Sequence, residues 1–146
     1  MLQIAIINGP NLNLLGIREP HIYGQRDFET HLAALRERFS GLVEIDYFQS
    51  NIEGEIINFM HQCIGSKHGF VINAGAYSHT SIAIADAVSG TGIPTVEVHI
   101  SNIMAREEYR KHSYISAKSI GTISGLGLDG YALAIRYFVD AMMPGR

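Results

Sequence analysis

One cysteine, no tryptophan and four prolines stand among these 146 residues, and charged side chains make up only 17% of them. With Cys63 alone, no intramolecular disulfide can form, which suits a reducing compartment. The thiol falls on an apolar helical pattern and reads as packed rather than nucleophilic. No apolar stretch approaches the roughly 20 residues that a membrane span requires. A net charge of −3, with histidines neutral, gives no general field for nucleic acid or an anionic membrane. Before the first apolar run there is one Met and no basic leader, h-region or Arg/Ser-rich segment, so a soluble cytoplasmic protein is expected.

Nucleotide and metal signatures are also missing. Gly9 to Gly16 has no Gly-Lys-Ser/Thr ending, and the stretch from Gly121 to Gly130 lacks the G-x-G-x-x-G order. No flavin, nicotinamide or other cofactor is expected. His79, His99 and Glu97 could cluster, but no H-E-x-x-H or Cys/His spacing occurs, so no metal site is expected.

What is present is an alternation of apolar runs and helical patterns, fitting one domain over residues 1–146. Strands are expected at Leu2–Asn8, Val43–Gln49, Gly69–Asn73, Pro94–Ile100 and Ser119–Ser124. Between them, Phe28, Leu32, Leu35 and Phe39 mark one helix face behind an Asp27 cap; Ile52, Ile56, Phe59, Met60 and Cys63 mark another. Further helices are expected over Thr80–Gly90, Ile103–Lys111 and Leu128–Met143. Strands apolar on both faces and joined through helices imply a parallel sheet covered on both sides. The expected class is α/β: a flavodoxin-like, doubly wound, five-stranded parallel sheet.

The Thr80–Gly90 pattern leaves almost no polar face. A helix apolar all round is buried on every side, which on so small a sheet points to a second subunit. Asp86 in its midst would be a buried charge needing a partner. A homo-oligomer with Asp86 near a subunit boundary is expected; an alanine-rich, partly exposed helix is the alternative.

The segment Asn8–Gly24 leaves the first strand at its carboxyl end, where open α/β sheets bind ligands. It is far longer than the about 2–6 residues such connections usually take, and it carries Asn11, Asn13, Arg18, His21 and Tyr23. The loops after the next strands add Asn73, Ser78, His79, Ser101 and Asn102, followed by Arg106 and Arg110. Together they describe a cup for hydroxyls and a small anion. Glu97 and His99, two apart on a strand, share one face, so the carboxylate can fix the imidazole tautomer; a surface ion pair is the plainer reading. Free tyrosine has a pKa of about 10, and making Tyr23 a usable base costs about 3–4 kcal/mol. One guanidinium in contact supplies about 4 kcal/mol at an effective dielectric of about 20. Arg18 could therefore suffice, against a simple rim hydrogen bond.

Three motifs, in this order, carry a resemblance. They are Asn8-Gly-Pro-Asn-Leu-Asn-Leu-Leu-Gly16 with Arg18 and Tyr23-Gly24, then Asn73-Ala-Gly-Ala-Tyr-Ser-His79-Thr-Ser81, then Val96-Glu-Val-His99-Ile-Ser-Asn102 with Arg106 and Arg110. The chain resembles type II 3-dehydroquinate dehydratase from Ile4 to Tyr137, departing at Ala74 and Met104, which are not functional positions of that family. The resemblance implies a cofactor-free trans-dehydration of 3-dehydroquinate to 3-dehydroshikimate, a step toward aromatic amino acids. It implies Tyr23 as base, Arg18 as the group keeping it ionised, Asn11 holding a water at the enolate oxygen, and His99 as acid oriented by Glu97. It further implies that the Ile100 and Ser101 backbone, Asn73, His79 and Arg110 bind substrate, and that an adjacent subunit lends Asp86 within a dodecamer built from trimers. The lysines Lys67 and Lys118 precede strands, on the wrong side of the sheet for the imine chemistry of the unrelated type I enzymes. A receiver-like module would want acids after the first strand, where this chain has asparagines. A hydrolase would need Ser78 or Ser101 as nucleophile, and neither sits in a G-x-S-x-G turn.

Overall fold

The computed structural model describes residues 1–17, 19, 21 and 26–145. Arg18 and Tyr23, the proposed base pair, lie outside the described residues. Five strands form one sheet: β1 Leu2–Asn8, β2 Val43–Gln49, β3 Gly69–Asn73, β4 Thr95–His99 and β5 Gly121–Ser124. Every neighbouring pair is parallel, in the order β2-β1-β3-β4-β5. That is the flavodoxin-like doubly wound order, with its topological switch between β1 and β3.

Period-two alternation sorts the strand side chains onto two cores. Ile4 and Ile6 of β1 pack with helices α1 (Phe28–Arg38) and α4 (Asp129–Met142), while Ala5 and Ile7 pack with α2 (Glu53–Gln62) and α3 (Ile82–Thr91). Cys63 is buried in the second core, and burial pushes its thiol pKa up, as a packed rather than reactive cysteine requires. Lys67 pairs with Asp46 on the far side from the strand carboxyl ends. Among the described residues no helix is long and apolar enough to cross a membrane.

Three helical expectations are corrected. The Thr80–Gly90 helix begins later, at Ile82, because the Ser81 hydroxyl caps it by accepting the Ile84 N–H at 2.9 Å and Gly75–His79 form a separate 3-10 turn. The helix expected over Ile103–Lys111 is two 3-10 turns, Ile103–Ala105 and Glu108–Arg110, because Arg106 between them is extended. Four of the five expected α-helices are therefore found. Nor is α3 buried all round: Ile84, Ala85, Ala87 and Val88 face inward, whereas Ile82 and Asp86 are exposed. Asp86 is thus not a buried charge within one chain, since only one face of α3 packs against the sheet and α2.

Candidate active site

Parallel register brings the strand ends level. Asn8 stands beside Gln49 on one side and Asn73 on the other, and His99 beside Ser124. Above them opens a cleft of about 140 Å³. The loop after β1 contributes Asn11 to its wall, the β3 end and its loop contribute Asn73 and His79, and the β4 end contributes His99, Ile100 and Ser101. Arg106 and Arg110 also line it. Seven of the eleven candidate residues thus meet in one cleft, and Glu97 lies directly beneath through its bond to His99.

The first two loops meet at van der Waals limits. A Cβ on Gly9 would stand 2.2 Å from the Ala74 carbonyl oxygen, so only glycine permits the approach. Asn11 follows in the left-handed region at φ 69°, which asparagine tolerates. Its N–H donates to Asn51 Oδ1 at 3.0 Å, and Gln49 Nε2–H donates to the same oxygen at 3.2 Å. The strained backbone is thereby pinned.

Asn73 is set by a buried chain of polar groups. Its Nδ2–H donates to the Tyr131 hydroxyl at 3.0 Å, that hydroxyl donates to Asn8 Oδ1 at 2.7 Å, and Asn73 Oδ1 accepts the Gly75 N–H at 3.1 Å. Burial pushes the Tyr131 phenol far above its ordinary pKa, so it stays a neutral strut.

Glu97 is 0% exposed and His99 5%. His99 Nε2 lies 2.7 Å from Glu97 Oε2. Burial alone would raise the Glu97 pKa, but hydrogen bonds from His99, Ser113 and Ser116 and the His99 charge outweigh it and hold the carboxyl below its usual range. The glutamate is therefore ionised, Nε2–H donates to it, and Nδ1 is the ring nitrogen left for a ligand. This is a buried orienting pair, not a surface ion pair.

His79 stacks near the His99 ring, with centroids 6.0 Å apart. Burial lowers its pKa, and the positive charges of His99 and Arg110 act in the same direction against the His112 carbonyl. The neutral ring donates Nδ1–H to that carbonyl at 2.7 Å, which leaves Nε2 as an acceptor for a hydroxyl. On the rim, Arg110 Nε lies 2.7 Å from Glu107 and Arg106 Nη1–H donates to Ser101 Oγ at 3.2 Å. Arg106 and Arg110 place two guanidiniums on the rim, groups whose N–H donors match a small carboxylate. The Ile100 and Ser101 amides precede a single 3-10 turn rather than the helix expected there. Ser101 Oγ is engaged with a cation, and Ser78 Oγ is buried with no partner among the described residues, so neither forms a nucleophile–histidine pair.

Sequence reasoning missed Ser113, Ser116 and Thr122, whose hydroxyls surround Glu97. Ser113 and Ser116 are single hydroxyls in an irregular segment and carry no periodic signal; Thr122 lies on the expected strand β5, but the sequence does not say which strand residue it pairs with. Asp86 stands apart from the cleft, in an open groove between α2 and α3 lined by Ile57, His61 and Ile64.

The sequence profile described as dehydroquinase class II matches residues 2–139. The chain belongs to the class II dehydroquinase family. The 3-dehydroquinate dehydratase of Endomicrobium trichonymphae is 49% identical over 145 residues, covering 97% of this chain and 100% of that one. That of Clostridium perfringens is 55% identical over 136 residues, 92% of this chain and 93% of the other. The crystal structure of type II dehydroquinase from Propionibacterium acnes superposes with a TM-score of 0.91 at 45% identity, covering 95% of this chain and 97% of that one. Membership in the dehydroquinase family makes this chain an enzyme, and the cleft at the β1/β3 switch is its candidate active site.

Proposed function

We propose that the cleft converts 3-dehydroquinate to 3-dehydroshikimate by cofactor-free trans elimination through an enolate, the dehydration step of aromatic amino-acid biosynthesis. The observation that carries this reading is the buried Glu97–His99 pair, whose free nitrogen serves a cleft ringed by amides, a neutral histidine and arginines. Tyr23, as phenolate, removes the proton from the carbon beside the ketone, and Arg18 keeps it ionised. A water held by Asn11 stabilises the enolate oxygen. His99 then protonates the departing C1 hydroxyl, so one proton and one hydroxide leave the substrate as water. An acid and a base of different type suit such an elimination, where one proton leaves as another is delivered. The substrate carboxylate sits on the Ile100 and Ser101 amides. Asn73, His79 and Arg110 grip the carboxylate and ring hydroxyls.

The working form is a dodecamer of trimers of one-domain subunits, located in the cytoplasm, with Asp86 of an adjacent subunit completing the site. Exposed Ile64 and Ile82 around Asp86 support a covered face there. The test is to mix purified protein with 3-dehydroquinate and follow the ultraviolet absorbance of the conjugated product. Absorbance should rise steadily. A folded sample giving no rise refutes the reading.

A further inference from the structure

We propose that Ser113, Ser116 and Thr122 are positioning residues for the dehydration, holding Glu97 as a fixed proton acceptor so that His99 is confined to one tautomer. The proposal rests on the functional reading above.

Both oxygens of Glu97 are saturated. Oε2 accepts from His99 Nε2 and, at 2.6 Å, from the Ser113 hydroxyl; Oε1 accepts from Ser116 Oγ and, at 3.2 Å, from Thr122 Oγ1. Thr122 is the register neighbour of Glu97 on β5, so its hydroxyl arrives on the same sheet face. Ser113 and Ser116 come from the segment that covers that face.

Ser113 imposes a direction on the network. Its Oγ accepts the N–H of Ile115 at 3.2 Å and that of Ser116 at 3.3 Å. With two backbone donors on the oxygen, only its own proton is left, and that proton points at Glu97. Oε2 must accept there and take the His99 Nε2–H on its other lone pair, while the Ser116 and Thr122 hydroxyls donating to Oε1 leave no lone pair for a proton. The ionisable groups next to Glu97 are His99 on its own strand and, behind it, His79; β5 and the covering segment bring hydroxyls. A carboxylate needing only solvation would not require a donor whose direction the backbone dictates.

The test compares Ser113→Ala, Ser113→Thr and the double variant Ser116→Ala/Thr122→Val, which leaves the Ser113 turn intact. Steady-state assays run from pH 5 to 9, beside ¹⁵N NMR of histidine-labelled protein. Ser113→Ala and the double variant should lose about 10- to 100-fold in kcat with KM little changed. The acid limb of kcat should move up by about one pH unit, because a carboxylate stripped of donors binds a proton more readily. Ser113→Thr should restore both. The His99 ring signals should show mixed tautomers in the variants and one in the parent. Unchanged pH limbs and an unchanged His99 tautomer in folded variants overturn the proposal, even where kcat falls. If the parent protein does not dehydrate 3-dehydroquinate, the functional reading fails, while the NMR comparison still decides the positioning role.

Discussion

At the residue scale, the site depends on a few side chains whose protonation the fold dictates. Glu97→Gln can keep its neighbours, since the amide oxygen can accept from His99 and Ser113 while the NH₂ donates to the Ser116 and Thr122 hydroxyls, which turn to accept. What it removes is the charge that stabilises an imidazolium. The variant should therefore fold normally and lose about 10²- to 10⁴-fold in kcat, measured by the same absorbance assay with circular dichroism as the folding control. The pKa directions also set an acid limit on stability. The folded values of His79 and Glu97 both lie below their ordinary values of 6.5 and 4.5. Each therefore contributes stability that is complete above its ordinary value and is lost as pH falls through the folded one. Burial lowers His31 as well, adding in the same direction. Melting temperature should be flat between about pH 7 and 8 and fall in two stages on the acid side, below about 6.5 and again below about 4.5. It should also fall on the alkaline side above about 9, where burial holds Cys63 and Tyr131 protonated only in the folded chain.

At the element scale, the caps and close approaches that aim the loops are separately testable. Ser81→Ala removes the α3 cap and should cost about 1 kcal/mol in denaturant unfolding with little effect on kcat. Gly9→Ala places a methyl group against the Ala74 carbonyl, so it should impair both stability and turnover by pushing the β1 and β3 loops apart. The central strands β1, β3 and β4 were legible because apolar runs identify strands buried on both faces. The edge strands β2 and β5 are partly exposed and were legible from their place between helical patterns, and the Glu97–His99 spacing was enough to place both on one side of β4. The region between β4 and β5 was not. Its apolar residues suggested a helix, but extended Arg106 divides it into short turns held by side-chain and backbone hydrogen bonds rather than by a periodic face. Ser113 and Ser116 lie in that region, which is why they escaped sequence reasoning; Thr122 lies on β5, where only the strand register, not the sequence, sets it beside Glu97.

At the scale of the whole molecule, the parallel order puts every strand's carboxyl end on one side, so a cleft at the β1/β3 switch collects residues from three loops. The exposed groove around Asp86 leads outward from the protomer. If a neighbour covers it, Asp86→Lys should shift the species seen by analytical ultracentrifugation toward smaller ones and lower turnover in parallel; a fully active, unchanged assembly would exclude Asp86 from the site. The division of labour between acid and base is tested most directly by ¹H NMR of 3-dehydroquinate in D₂O with the Tyr23→Phe and His99→Ala variants. His99→Ala should exchange the proton beside the ketone for deuterium while eliminating almost no water, and Tyr23→Phe should do neither. Elimination by His99→Ala near the parent rate, or exchange persisting in Tyr23→Phe, would contradict the account.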